Sequence, residues 1–307
     1  MAKSFDEILR PYLIPEIELY NSGAIPSVDI GDFTEGMAAN AKYFGHPEWA
    51  ADYFKYVHRT EYFRSRWLAA TGPWDGKVVV DVGCGPGNVF ATVGGKPKVL
   101  IGVDIAEGGL EMAVKLGYVP LRADAHNLPL KDGIADIVVL NAALHHFDDM
   151  YRALGEAARL VKPGGILVAD HDPQMSAWDF RGLALLAWRM RLHIYLMLKK
   201  GYHRSVEEQL TALISEIHHD AGKGLKREMF LDVLRPKGFD VELFPHNHKV
   251  GAEALQGVRG RSSRKYRVAQ LLSGRNPDTD CCALSLLCRA RRRADTRTLD
   301  SQAYTGS

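Results

Sequence analysis

The residues best placed to do chemistry lie in one short stretch. Val78-Val79-Val80-Asp81-Val82 is an apolar run carrying a single acid, and Gly83-Cys84-Gly85-Pro86-Gly87-Asn88 follows at once. Such a pattern predicts a buried strand feeding a tight loop with a helix behind it. Glycines let a backbone approach a ligand closely, because no Cβ intervenes. A helix behind the loop aims free N–H groups and a partial positive charge at whatever sits there. Val99-Leu100-Ile101-Gly102-Val103-Asp104 repeats the apolar run ending in an acid. Asp104 falls close to the ~20-residue offset at which such folds place a ribose-binding carboxylate. A carboxylate there can accept hydrogen bonds from both ribose hydroxyls.

A glycine-rich loop alone is equally an ordinary tight turn; the second acid argues for a nucleotide-like cofactor. The dinucleotide fingerprint G-x-G-x-x-G is not met, because the third glycine is Gly87 and Asn88 stands in its place. Asp81 would repel a pyrophosphate and suits a cofactor with an ammonium and no phosphate. S-adenosylmethionine has an ammonium, a sulfonium, a ribose and an adenine, and it fits.

Four ordered blocks carry a resemblance: VVVDVGCGPGNVF from Val78, VLIGVDIAEGGLEMA from Val99, RADAHNLPLKDGIADIVVLNAALHHFDD from Arg122 and LVKPGGILVADHDP from Leu160. With them the chain resembles the class I S-adenosylmethionine-dependent methyltransferases. It looks most like the branch holding ubiquinone and menaquinone biosynthesis enzymes and many natural-product methyltransferases. The resemblance implies an α/β fold, a Rossmann-like, mostly parallel sheet with its last strand antiparallel, flanked by helices. It implies that Asp81, Gly83 and Gly85 contact the methionine end of the cofactor. Asp104 would hold the ribose and Ile105 pack on the adenine. Asp124 would bind the adenine amino group, with Ala125 offering a backbone N–H, and Asn141 would sit beside the sulfonium. Cys84 reads as a small loop residue rather than a catalytic thiol.

Methyl transfer from a sulfonium is an in-line displacement, so the protein's task is positioning in a dry, shaped site. A general base helps only where the nucleophile has a proton to lose. Histidine suits that task, since its unperturbed pKa is ~6.5. His171, beside Asp172 at a strand end, is the first candidate; His145 and His146 follow, and His246 and His248 are weaker. On this reading His171→Ala lowers turnover strongly and leaves cofactor binding intact.

Strands alternating with helices must position these groups. They are predicted at 77–82, 98–104, 118–122, 135–141 and 165–170, with ligands beyond their carboxyl ends. Asp148 and Asp149 open the helix after the fourth strand, and Pro163-Gly164-Gly165 ends it. Residues 1–36 read as irregular, within an N-terminal helical cap over 1–70. A helix is predicted from Asp32, with Glu35 completing a capping pair. A second, aromatic-rich helix is predicted from Pro47 to Ala70, either packing on the core or covering the cofactor and acceptor pocket. The cofactor-binding core is assigned to 71–173 and a helical insert to 174–223. Residues 224–290 carry a closing helix at Leu225–Leu234, a strand at Phe239–Phe244, a mobile loop over 245–279 and a last strand at Cys281–Cys288. Residues 291–307 read as a disordered tail.

Within the insert, Trp178–Lys200 is predicted as one helix. Arg181, Arg189, Arg191, Lys199 and Lys200 fall on one half of it, opposite Leu183, Leu186, Ala187, Met190, Ile194, Met197 and Leu198. Core packing, a lid over an apolar acceptor pocket and attachment to a membrane surface all stay open.

Composition sets outer bounds. A chain of 307 residues, 46% hydrophobic and 25% charged, is an ordinary globular protein. A net charge of +2 with no basic, aromatic-interleaved patch argues against nucleic acid as partner. Cys84, Cys281, Cys282 and Cys288 lack metal-ligand spacing, so reduced thiols, no metal and a cytoplasmic setting are expected. No signal peptide or stable membrane insertion is expected, and oligomeric state is not legible. The leading expectation is a methyltransferase acting on oxygen or carbon of a small, lipophilic or aromatic acceptor. A nicotinamide-dependent oxidoreductase and a protein that binds the donor without transferring methyl, as a cyclase or regulator, are the alternatives.

Overall fold

The computed structural model describes residues 3–22, 24–198, 205–215 and 224–294. A capping box opens the first helix, α1 (Phe5–Leu9): Ser4 Oγ accepts from the Glu7 amide and Glu7 receives the Ser4 amide. A hairpin of β1 (Tyr20–Ser22) and β2 (Ile25–Ser27) follows. The expectation of an irregular segment over 1–36 is thereby corrected. The next helix, α2 (Glu35–Gly45), starts at the Thr34 cap rather than at Asp32, because Thr34 Oγ1 accepts the Met37 amide. The helix expected from Pro47 to Ala70 is two, α3 (Pro47–Tyr53) and α4 (Glu61–Thr71), split by a single π-helical stretch at Phe54–His58. Thr60 restarts the helix by capping the Phe63 amide.

The core alternates β3 (Val78–Val82), α5 (Asn88–Val93), β4 (Val99–Asp104), α6 (Glu107–Val114), β5 (Val119–Arg122), β6 (Ala135–Asn141), α7 (Met150–Leu160) and β7 (Val161–Asp170). Asp149 caps α7 by accepting the Arg152 amide. That helix ends at Leu160, so Pro163-Gly164-Gly165 lies inside the start of β7 instead of closing the helix. The insert follows as α8 (Gly182–Leu198) and α9 (Val206–Ser215), then α10 (Arg227–Leu234), β8 (Phe239–His246), α11 (Arg264–Leu272) and β9 (Ser285–Arg292). The stretch expected as a mobile loop thus carries α11. The last strand starts four residues later than expected and runs through Arg291 and Arg292, which pair with Asp240 and Phe239. Those two arginines fall in the stretch expected as tail; residues 295–307 of it lie outside the described residues, as do 199–204 and 216–223 of the insert.

The nine described strands form one sheet, ordered β1-β2-β5-β4-β3-β6-β7-β9-β8. Pairings from β2 to β7 are parallel, while β9 runs antiparallel to both β7 and β8. The parallel strands are covered on both faces, which is why they read as unbroken apolar runs. Val80 and Val82 feed one core layer and Val79 the other, as the two-residue period of a strand requires. Chain order reverses between β3 and β6, and that switch point opens a crevice beyond the strand ends.

The insert packs differently from its helical wheel. A 3₁₀ turn at Met175–Trp178 precedes α8, and Ala184, Leu185 and Trp188 turn inward onto Trp178, Phe180, Tyr266 and Leu284. Leu183, Leu186 and Met190, from the apolar half of the wheel, are 72%, 55% and 49% exposed. Nearly every position of α8 is apolar, so hydrophobicity alone does not select a face. The side chains of 191–198 lie outside those described.

Candidate functional site

The loop after β3 is shaped by glycines in left-handed conformations. Gly83 has φ +72°, and a Cβ there would lie 2.8 Å from the Ala143 Cβ. Gly87, at φ +85°, caps α5, and a Cβ there would meet the Tyr118 ring at 2.8 Å. A bulkier residue at either position collides with a packed neighbour as well as straining the backbone. The Gly83 and Cys84 amides donate to the Val103 carbonyl, which ties the loop to β4.

Asp104 then clamps the loop from the neighbouring strand. Its Oδ2 accepts from the Gly85 amide at 2.7 Å and its Oδ1 from the Ala106 amide at 2.8 Å. Burial pushes its carboxyl up, and those amide donors pull against the rise. Asp81 is fully enclosed, with Tyr118 Oη donating to its Oδ2 at 2.7 Å. Burial raises its pKa to about 7, with the Tyr118 hydrogen bond opposing and the Asp104 charge adding to the rise. Asp81 Oδ1 has no hydrogen-bond partner among the described residues. Asp124 Oδ1 accepts from both the amide and Nδ1 of His126, whose Nε2 in turn accepts the Asp149 amide.

One cleft, lined by more apolar than polar surface, joins these groups, the kind of setting small ligands occupy. Asp81, Gly83, Gly85, Asp104, Ile105, Asp124, Ala125 and Asn141 all line it. Its outer wall is Met37, Asn40 and Phe44 of α2, with His58 from the π-helical turn and His146 after β6. Asn40 Nδ2 donates to the Gly36 and His146 carbonyls, at 2.9 and 3.2 Å. Asn141 Nδ2 meets His58 Nε2 at 3.1 Å. Asn40 Oδ1 and Asn141 Oδ1, like Asp81 Oδ1, are buried acceptors without a hydrogen-bond partner among the described residues. Buried polar atoms are normally satisfied, so three unsatisfied acceptors lining one cleft suit a ligand rich in donors.

The histidines divide between the cleft and its surroundings. His146 lines it, and its Nδ1 donates to the Ser215 carbonyl at 2.6 Å, which leaves the ring's lone pair on Nε2. His145 is buried, with its Nδ1 held by Asp172 Oδ1 at 2.7 Å. His171, the first-ranked base, is not among the cleft's lining residues. It is buried in a network around Asp170, and Arg66 Nη2 approaches its Nδ1 at 3.2 Å. A guanidinium only donates, so the basic nitrogen of His171 is turned to Arg66 and not to the cleft. Burial holds His171 below its usual pKa, with Asp170 opposing. His246 donates from Nε2 to Asp170 at 2.6 Å, and burial pushes it down to about 4. His248 stacks on His171 and is likewise pushed down by burial.

Sequence reasoning passed over Asn40, His58, Tyr118 and Arg66. None sits in a recognisable motif. Tyr118 precedes a short strand as an ordinary apolar residue, and the other three belong to helical segments that reach the site only through tertiary packing.

The Asp81 carboxyl carries a pH consequence. Its folded pKa lies above the unfolded value, so folded protein takes up a proton between about pH 4 and 7 and loses that stabilisation as pH rises through 7. A cationic ligand group at Asp81 favours the ionised form. Its binding is therefore expected to weaken as pH falls below about 7 and to release protons at pH ~6. Calorimetry in buffers of different ionisation enthalpy checks this; proton-neutral binding at that pH would remove Asp81 as the cation's partner.

A methyltransferase-domain family model matches residues 80–169. A demethylmenaquinone methyltransferase of Geobacillus kaustophilus is 31% identical over 192 residues, which is 59% of this chain and 78% of that protein. A ubiquinone biosynthesis O-methyltransferase of Thiobacillus denitrificans is 32% identical over 119 residues, 36% of this chain and 51% of that protein. The chain thus spans about half the length of the latter, and less than half of some other curated relatives. Among solved structures, a methyltransferase of Thermotoga maritima described as a possible histamine N-methyltransferase aligns with TM-score 0.49 at 18% identity, covering 84% of this chain and 100% of that one. With four-fifths of the Geobacillus protein matched at that identity and the methyltransferase core recognised by its family model, the chain belongs to the class I S-adenosylmethionine-dependent methyltransferases.

Proposed function

We propose that this chain transfers a methyl group from S-adenosylmethionine to oxygen or carbon of a small, lipophilic or aromatic acceptor. The observation that carries the reading is the cleft at the switch point, where three carboxylate residues meet unsatisfied buried acceptors on Asp81, Asn141 and Asn40. The donor supplies the electrophilic methyl group; the chain's own residues bind, orient and enclose. Asp81, Gly83 and Gly85 hold the methionine end, with Asp81 opposite its ammonium. Asp104 takes the ribose, Ile105 and Ala125 flank the adenine, and Asp124 takes its amino group. Asn141 lies toward the sulfonium.

The cleft wall and the relatives' names support the acceptor class. Met37, Phe44, Ala143 and Phe147 give the wall its apolar character. The two relatives' names speak of ubiquinone biosynthesis and demethylmenaquinone. An aromatic or quinonoid acceptor is the corresponding proposal here. Family membership sets aside the nicotinamide alternative.

Where the acceptor presents a hydroxyl, His146 is the proposed base, since its ring lines the cleft and its Nδ1 is committed to the Ser215 carbonyl. His145 holds the turn through Asp172, and His171 is a positioning residue behind His58, whose ring lies 5.4 Å from it. His146→Gln is expected to lower kcat by about a hundredfold with donor affinity unchanged. His171→Ala is expected to cost stability while reducing turnover less than about tenfold. The reverse pattern in steady-state kinetics would return the base role to His171.

The function itself is tested by incubating purified protein with isotopically methyl-labelled donor and extract, then searching by mass spectrometry. A labelled small molecule heavier by one CH₂ is expected. Donor binding with no labelled product from any extract would favour a non-transferring role.

A further inference from the structure

A second, open cavity lies apart from the cofactor cleft, between the end of β8 and the start of α11. Its rim carries Lys249, Arg261 and Arg264, which form no ion pair among the described residues. The acids nearby are already matched: Asp278 receives both arms of Arg267, and Asp280 pairs with Arg259. Three cations are therefore in local excess.

The first turn of α11 opens on the same space. Its N-cap residue, Ser263, makes no side-chain cap hydrogen bond, so no side chain takes the first-turn amides, although that of Tyr266 donates to the Ser263 carbonyl, and the helix keeps its positive end. Ser262 is 6% exposed and lines the cavity, and its Oγ has no hydrogen-bond partner among the described residues. A buried hydroxyl without a partner marks a place where a ligand acceptor belongs. Asn247 holds this segment in place. Its amide donates to the Arg259 carbonyl and its Nδ2 to the Gly260 carbonyl, while its Oδ1 accepts the Leu284 amide. Apolar side chains share the cavity: Val268 and Leu271, on the same face of α11 as Arg264, line it and are 52% and 58% exposed.

We propose that this cavity binds a phosphate or phosphate ester carried on an apolar body, with the anion at Ser262 and the start of α11 and the apolar part along Val268 and Leu271. Cations, helix amides and a hydroxyl together form the donor set that phosphate oxygens accept from. Two sources share this chemistry, free phosphate and a phospholipid headgroup.

Calorimetric titration of the full chain with inorganic phosphate and with a short-chain phosphatidylglycerol below its micellar concentration separates them. Saturable binding of the lipid is expected, weakened at least about tenfold by the double substitution R261Q/R264Q and about threefold by Ser262→Ala. S-adenosylhomocysteine affinity, read at the other cleft, is expected to stay unchanged in both variants and reports that the fold is intact. Phosphate binding as tightly as the lipid would keep the anion site and overturn its apolar half. No saturable binding of either probe, or equal affinity in the double variant, would overturn the site.

Discussion

Asp104→Ala is expected to lower affinity for S-adenosylmethionine by at least about a hundredfold, the largest single effect on ligand binding in this chain. Two of its bonds shape the site before any ligand arrives, those from the Gly85 and Ala106 amides. A hydrogen bond to a charged group contributes about 1.5–3 kcal/mol. Losing the clamp lets the glycine loop drift from β4, and the proposed ribose contacts go with it. About 3 kcal/mol of lost binding energy already corresponds to two orders of magnitude. Asp104→Asn keeps the shape but turns one acceptor into a donor facing an amide, so a smaller loss is expected. Titration of both variants with S-adenosylhomocysteine measures the effect, and an Asp104→Ala affinity within threefold of wild type would refute the clamp.

Arg66→Leu is expected to destabilise the fold by about 3–5 kcal/mol, the typical cost of breaking a buried ion pair by removing one partner. Arg66 and Asp170 are both completely buried, with Nε 2.8 Å from Oδ2. Asp170 also accepts from His246 Nε2 and from the His171 amide. Together these donors hold its carboxyl well below the usual range despite burial. The other end of Arg66 donates to the His248 and Val250 carbonyls, which fastens the segment after β8 to α4. Removing the guanidinium leaves a buried carboxylate with neutral histidines as neighbours. A second change, Asp170→Asn, is expected to return part of the loss, because it removes the stranded charge. Denaturant unfolding of the single and double variants reads this out. Equal losses in Arg66→Leu and the double variant would show that the charge is not what matters.

The core was legible because it is written locally. Strands β3, β4 and β6 are buried on both faces, so each appears as an apolar run ending in Asp81-Val82, Asp104 or Asn141. The glycine turn announced itself through residues that alone tolerate its backbone. What escaped depends on distant partners or on ambiguous periodicity. The hairpin at Tyr20–Ser27 has three-residue strands, one containing Pro26, and joins β5 through a single register pair, Ser27 to Arg122. Arg291 and Arg292 read as the start of a basic tail, yet they continue the strand through Arg289 and Ala290. Ala290 is fully buried between charged neighbours, which is the two-residue alternation of a strand. Helix α8 offers apolar residues in nearly every direction, so its wheel could not say which of them turn inward.

The site divides the same way. Asp81, Asp104, Asp124 and Asn141 were found because each follows a recognisable strand, and the structure brings them to one cleft. His58, Asn40 and Arg66 lie in helical segments whose sequence says only that they are aromatic-rich and packed. Arg66 meets Asp170 across 104 residues of chain. The same network explains why a histidine beside an aspartate at a strand end looked like a base. The adjacency of His171 and Asp172 is real in sequence, but Asp172 serves His145, and His171 faces Arg66.

Calorimetric titration of the folded, purified chain with S-adenosylhomocysteine tests the central claim most directly. Single-site binding with a micromolar dissociation constant is expected, weakened at least about a hundredfold by Asp104→Ala. An absence of binding heat and of any thermal shift in well-folded wild-type protein would contradict it.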